Sequence, residues 1–186
     1  MTNISYDLFE YMRINKFKYG FLLVDEDDDY YVSNLWKIFT DYLKLYCLSP
    51  SENIRRAQTN LFGQYNMDIM YNNFAVIKTD LWQQPQILNF LTYIDRLGGI
   101  YKYRWGDAPI HTLIISQFLK RNEIVRFRDI GYFHKREYVC PYTTKLVCNP
   151  KDYFLHKDVE YIHYKYGCNP YVTTYSLCHY YPEKLE

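Results

Sequence analysis

The chain has 186 residues, a formal net charge of +1 at pH 7, and hydrophobic residues at 48% of its positions. This length and apolar content predict a folded domain with a sizeable core and exclude an intrinsically disordered chain. The near-zero charge gives no general attraction to nucleic acid or anionic membranes, and no apolar run approaches the roughly 20 residues of a membrane span.

Apolar spacing predicts the elements in the first part of the chain. YDLFEYMRI predicts a short amphipathic helix, and KYGFLLV predicts a buried strand that ends before the acidic run Asp25 to Asp29. VSNLWKIFTDYLKLYC has apolar residues at helical spacing and predicts a second helix. Residues 48–72 are polar and irregular, so we expect a loop there.

The next segments alternate between strand and helix. NFAVIKT predicts a strand, and LWQQPQILNFLTYIDRL predicts a helix that ends at Gly98 and Gly99. Asp107 is a candidate N-cap of a further helix, with Pro109 in the first turn and an apolar run through Leu119. EIVRF and DIGYFH predict two more strands. We expect them to share one sheet with NFAVIKT, with the helix from Asp107 on its face, in an α/β fold.

The N-terminal segment MTNISYDLFEYM has the features of neither a signal peptide nor an anchor, so we expect a soluble chain. We expect a single domain over residues 1–186. Within it, residues 1–141 form the core portion, and residues 142–186 form a tail rich in Cys and Tyr that packs on it.

The five cysteines leave at least one thiol unpaired. The spacing of potential zinc ligands in the tail matches no zinc-finger pattern, so disulfides or buried thiols are the favoured interpretation. The potential ligands are Cys148, His163, Cys168, Cys178 and His179.

The segment YRWGDAPIH contains more chemistry than a helix start requires. Asp107 followed by a proline is ordinary capping chemistry. Capping does not explain its neighbours: Arg104 can clamp an anion or a polyol, Trp105 can stack on a sugar face, and Gly106 permits close backbone approach. A carboxylate at a helix start can also bind a sugar hydroxyl pair or act as a general base.

A second candidate residue is His134, at the end of the strand DIGYFH. A lone histidine at a strand end is more often structural, but ligands bind at strand ends in α/β folds. We expect Asp107 and His134 to line one cleft. The acidic run VDEDDDYY lacks the glycine and the alternation of a calcium loop, so a solvated loop is favoured over a cation site.

The two motifs, in this order and followed by Cys140 and Pro141, resemble the fungal α-1,2-mannosyltransferases of glycosyltransferase family 15. That family carries Tyr-Glu-Arg-Trp-Gly-Asp-Ala-Pro-x-His, then Asp-x-Gly-Tyr-x-His, then Cys-Pro. YDLFEYM with KYGF, NNFAVI and YIDRLGGIY resemble further family segments. The resemblance covers most of residues 4–24 and 71–141 and is weak over 25–70.

The resemblance implies a truncated GT-A-like fold with a mixed sheet flanked by helices. It implies an enzyme, a mannosyltransferase that moves mannose from GDP-mannose to a mannoside acceptor with retention, usually with Mn²⁺, and family precedent places it in the Golgi lumen. Its implied site comprises catalytic, substrate-binding and metal-binding residues. These are Asp107 and Arg104 (catalytic), Trp105, Tyr132, Asn73 and His111 (substrate-binding), and His134 (metal).

The sequence also departs from the family. Ala75 and Tyr103 stand where the family has glutamates, and Lys135 and Arg136 replace Ala-Pro after the histidine. The resemblance to the family begins just after its Glu-Pro-Asp motif, which supplies another metal ligand. The family's nucleotide-binding half, which precedes that motif, has no counterpart in this sequence.

These departures make us expect little transfer by the isolated chain and a second chain that supplies the donor half. The alternatives are a non-catalytic glycan-binding or scaffold protein and a zinc-stapled interaction module.

Overall fold

The computed structural model describes residues 4–134, 137–139, 161–163 and 183–184, with side chains for residues 4–132. Two short 3₁₀ helices, Thr79–Gln83 and Arg121–Glu123, lie between the main elements. The main elements are α1 (Leu8–Ile14), β1 (Tyr19–Glu26), α2 (Leu35–Leu45), α3 (Glu52–Ala57), β2 (Asp68–Ile77), α4 (Pro85–Arg96), α5 (Gly99–Tyr103), α6 (Asp107–Phe118), β3 (Ile124–Phe127), β4 (Tyr132–His134), β5 (Glu137–Val139), β6 (Tyr161–His163) and β7 (Glu183–Lys184).

The described strands form two sheets. The first has the order β2-β1-β3-β7 and is mixed, because β2 runs antiparallel to β1 while β3 and β7 run parallel to their neighbours. The second has the order β4-β5-β6. NFAVIKT and EIVRF therefore share a sheet as predicted. The prediction that DIGYFH joins them is wrong, because β1 and β7 already occupy both edges of β3.

Strand β2 is irregular at its centre. Phe21 of β1 pairs with Ala75, and Leu23 pairs with Tyr71, so a two-residue step on β1 corresponds to a four-residue step on β2. The extra residues form a bulge at 72–74, which carries Asn73. Bulges redirect side chains and often lie beside functional sites.

The main core lies between the first sheet and helices α2, α4 and α6. Fully buried side chains come from each of these parts, including Phe21, Phe39, Phe90 and Leu113. Helix α6 buries seven of its twelve residues, as is typical of a helix at the centre of a core. A second apolar cluster, which includes Leu22, lies on the other face of the sheet, where α1 packs.

Two local predictions need correction. The loop expected over residues 48–72 contains α3, which the Ser51 side chain caps by accepting a 3.0 Å hydrogen bond from Ile54 N–H. The N-cap of α6 is Gly106, and Asp107 is the first helical residue. Its carboxylate accepts a hydrogen bond from Ala108 N–H at 3.1 Å.

Among the described helices, none is long and apolar enough to cross a membrane. The division between a core at 1–141 and a tail at 142–186 stays a prediction, because most of that tail lies outside the described residues.

Candidate functional site

The motif YRWGDAPIH forms the junction between α5 and α6. Gly98 precedes α5 in the left-handed region at φ +66°, and Arg104 follows it at φ +59°. A left-handed residue other than glycine is uncommon and marks a sharp turn. Here it lets α6 begin three residues later. The side chain of Arg104 is exposed at this turn, so its guanidinium is open to a ligand.

Trp105 is a buried anchor in this junction. Only 3% of it is exposed, and its indole Nε1 donates a 2.8 Å hydrogen bond to the carbonyl of Ser33. The ring of Tyr103 stacks on the indole with centroids 5.8 Å apart. Trp105 therefore joins the motif to the loop after β1. In this structure the ring does not present an open face for a sugar, and the half-buried Tyr103 is the more accessible ring.

Asp107 and His111 lie one turn apart on the same face of α6. The Asp107 carboxylate is exposed in the first turn, where the helix dipole favours a negative charge. The His111 ring packs against Trp82 with centroids 4.4 Å apart. Burial lowers the pKa of His111, and the charge of Asp107 partly opposes that effect. The two predicted site residues are therefore close enough to interact electrostatically.

Tyr19 of β1 also lies near Asp107, although no sequence pattern marks it as a site residue. Burial, and then the charge of Asp107, raises the pKa of its phenol. Within the described part of the chain, Tyr19 Oη and His111 Nδ1 are both buried without a hydrogen-bond partner. A tyrosine inside a strand predicted to be buried is typical of a core residue, and only the packing of the fold places it near Asp107.

Asn73 and Tyr132 form a second pair of predicted site residues. Burial raises the pKa of Tyr132, while a hydrogen bond with the Asn73 side chain lowers it. That bond links the bulge of β2 to β4, and it leaves Asn73 exposed at the surface. His134 ends β4, with Glu137 as its partner in the ladder. Its side chain lies outside the described set, so its role as a metal ligand and its closeness to Asp107 stay predictions.

Within the described residues, no group of three or more His, Cys, Asp or Glu side chains could hold a metal ion. The run Asp25 to Asp29 is not such a group. The described residues therefore do not provide a manganese site by themselves, since such ions need several ligands. Of the cysteines, Cys47 is described as an exposed free thiol. The other four cysteines lie outside the described residues, so the zinc and disulfide alternatives for the tail stay predictions.

The sequence model of a family described as glycolipid 2-alpha-mannosyltransferase matches residues 1–177. The chain belongs to this family. This confirms the resemblance based on YRWGDAPIH and DIGYFH.

Curated relatives agree with this membership. A probable mannosyltransferase, MNT3 of Candida albicans, is 34% identical to the chain, and the match covers 85% of this chain and 43% of the relative. The alpha-1,2 mannosyltransferase KTR1 of Saccharomyces cerevisiae is 33% identical, with 83% and 42% covered. The chain therefore spans less than half the length of these relatives.

Solved structures share the fold. Core-mannan synthase A from Aspergillus fumigatus, in a Mn/GDP form, matches with a TM-score of 0.73 and 30% identity over 80% of this chain and 43% of that chain. The mannosyltransferase Ktr4p from S. cerevisiae, in complex with GDP, matches with a TM-score of 0.69 and 29% identity over 75% and 38%. The predicted α/β, GT-A-like fold with a mixed sheet flanked by helices is thereby confirmed, and the partial coverage agrees with its truncation.

Proposed function

We propose that this chain is the acceptor-side part of a retaining mannosyltransferase that moves mannose from GDP-mannose to a mannoside acceptor. The observation that carries this proposal is the exposed carboxylate of Asp107. Asp107 is the first residue of the largely buried helix α6, and it belongs to the motif YRWGDAPIH in a chain of a mannosyltransferase family. The similarity to an alpha-1,2 mannosyltransferase and to a core-mannan synthase in a Mn/GDP form supports it.

In this proposal Asp107 orients the acceptor hydroxyl. A carboxylate accepts hydrogen bonds from sugar hydroxyls and can take a proton as the new bond forms. His111 lies one turn further along α6, with its ring against Trp82, and we propose that it binds the acceptor beside Asp107. Trp105 contributes by fixing the start of α6 rather than by stacking on the sugar.

Two exposed side chains complete the proposed polar surface. Arg104 has guanidinium donors that suit either the diphosphate or a sugar hydroxyl pair. Asn73 offers an amide whose direction is set by its hydrogen bond with Tyr132 and by the bulge in β2. The left-handed backbone at Arg104 and the bulge at Asn73 fix the positions from which these side chains extend.

The proposed transfer also involves a manganese ion. Mn²⁺, when bound, would offset the charge on the departing diphosphate, and we propose His134 as one of its ligands. Such an ion needs several further ligands, and we propose that a second chain supplies them with the donor half. Family precedent makes the Golgi lumen the proposed compartment.

A transfer assay and a binding assay together test the function. In the first, the purified chain is incubated with radiolabelled GDP-mannose, Mn²⁺ and an α-mannoside. Little transfer is expected from these 186 residues alone, because they span less than half the length of the relatives and Ala75 offers no carboxylate beside the sugar. In the second, methyl α-mannoside should bind, and Asp107→Asn should weaken that binding about tenfold, the loss of a charge-assisted hydrogen bond. Asp95→Asn, an exposed change on α4, is the control.

The outcomes separate the candidates. Robust transfer that disappears in Asp107→Asn would show that this chain is an enzyme without a second chain. Binding without transfer, even when the donor half of a relative is added, would favour the non-catalytic glycan-binding alternative. Binding that is insensitive to Asp107 would contradict the proposed site.

A further inference from the structure

A cavity of about 460 Å³ lies between the loop after β1 and the C-terminal end of α5. Its volume is within the range of small-molecule pockets. It contains none of the residues assigned above to the acceptor or the metal. Its lining consists of Asp28, Asp29, Tyr30, Ser33, Lys102 and Tyr103.

The chemistry of this lining suits a neutral polyol. Two carboxylates accept hydrogen bonds from hydroxyl groups, one ammonium group and one serine hydroxyl can donate in return, and two phenol rings offer apolar faces with polar tips. The carboxylates outnumber the ammonium group, so an anionic ligand such as a sugar phosphate would meet net repulsion. The cavity therefore favours an uncharged sugar.

Contacts within the chain hold the two walls of the cavity in place. The Tyr103 ring stacks on the buried Trp105, whose Nε1 donates to the Ser33 carbonyl on the opposite wall. The Lys102 ammonium lies 5.1 Å from the centre of the Tyr103 ring. Walls that are already fixed lose less conformational entropy on binding.

The cavity is also near the proposed acceptor residue. Tyr103 lines it, and Asp107 follows four residues later, so their Cα atoms can be no more than about 14 Å apart even in an extended chain. One short oligosaccharide can reach both positions.

We propose that this cavity is an acceptor subsite, which binds a neutral sugar residue of the glycan beyond the residue that receives mannose. This inference rests on the proposed function, because it takes Asp107 as the place where the accepting sugar binds. It adds a role for the acidic loop, which lies outside the motifs YRWGDAPIH and DIGYFH.

The test compares a short and a long ligand by calorimetry on the full chain. Methyl α-mannoside reports on the Asp107 position alone, and a linear α-linked mannotriose reports on both positions. Asp29→Asn and Tyr30→Ala should each weaken mannotriose binding about three- to tenfold, the effect of one hydrogen bond or ring contact, and leave methyl α-mannoside binding unchanged. Asp95→Asn and Tyr101→Ala are matched controls, because both residues are exposed and do not line the cavity.

Each outcome decides a separate point. If mannotriose binding is unchanged in both cavity variants while methyl α-mannoside still binds through Asp107, the subsite is wrong and the proposed function stands. If neither sugar binds to the wild-type chain, the proposed function fails and the subsite fails with it. If a mannose 6-phosphate ligand binds more tightly through Asp29 and Tyr30 than mannotriose does, the preference for a neutral sugar is overturned.

Discussion

The indole of Trp105 rests directly on Gly99: a Cβ added to Gly99 would lie 2.2 Å from Cη2 and Cζ3 of the ring. The double glycine before the motif thus serves two different needs. Gly98 supplies the left-handed backbone at φ +66°, and Gly99 supplies the space for the indole. The placement of Asp107 depends on this contact, because Trp105 sets where α6 begins.

Gly99→Ala should therefore destabilise the fold. The added methyl overlaps a ring that is buried and held by the Ser33 carbonyl, so the indole cannot move away freely. Overpacking of this kind costs about 1–3 kcal/mol, which urea denaturation would measure. Gly106→Ala is the control, since its Cβ would lie 3.6 Å from Pro109 Cδ, an ordinary contact. Equal stability of the two variants would show that the indole is not confined.

Trp105→Phe should also destabilise the fold, and for a polar reason. Phenylalanine keeps an aromatic ring in the core but removes the donor to the Ser33 carbonyl. Losing a buried hydrogen bond costs about 1–3 kcal/mol when its partner stays unpaired. The measurement is the free energy of unfolding, with Trp36→Phe as a control that keeps the Ser33 bond. A larger effect on mannoside affinity than on unfolding would instead favour direct stacking of Trp105 on the sugar.

Thr112 provides a third test, in the contact between α6 and β2. Its Oγ1 accepts a 2.8 Å hydrogen bond from Met70 N–H and donates one to the Ala108 carbonyl. Because Thr112 is fully buried, Thr112→Val keeps the shape but leaves the Met70 amide unpaired, at a cost of about 1–3 kcal/mol. Thr112→Ser keeps the hydroxyl and loses only a methyl group. Valine should therefore be the more destabilising change, and the reverse order would mean that the methyl group matters more than the bond.

The local sequence pattern was sufficient to predict most of the helices and strands. Apolar residues at helical spacing or in continuous runs predicted α1, α2, α4 and α6 and strands β1, β2 and β3. The pattern missed α3, whose six residues include only two apolar side chains, Ile54 and Ala57, and α5, which begins at the glycines expected to end a helix. It also misplaced β4, because sheet membership depends on which strands already flank β3. The bulge in β2 depends on pairing with β1, and no local pattern specifies that register.

The site was predicted less completely for the same reason. The spacing of Asp107 and His111 places them on one helix face, which sequence alone can show. The burial of Trp105 depends on Ser33, 72 residues earlier in the chain. The same long-range packing brings Tyr19 close to Asp107. Contacts across that distance are products of the whole fold rather than of the motif.

The stability of the folded chain should depend on pH through His111. Burial lowers the pKa of His111 in the folded chain below its ordinary value of about 6.5, with Asp107 partly opposing that effect. Between the two pKa values the unfolded chain therefore binds more protons than the folded chain. The contribution of neutral His111 to stability is complete above the unfolded pKa, and it is lost as pH falls from that value through the folded pKa. His111→Phe keeps a ring against Trp82 and removes this titration. Its unfolding free energy should thus fall less than that of the wild type between about pH 7.5 and pH 5.5.

Titration of the His111 ring by NMR gives the direct check: its pKa should lie below the ordinary value and fall further in Asp107→Asn. A pKa at or above that value, or one that Asp107→Asn leaves unchanged, would show that the two side chains are not coupled.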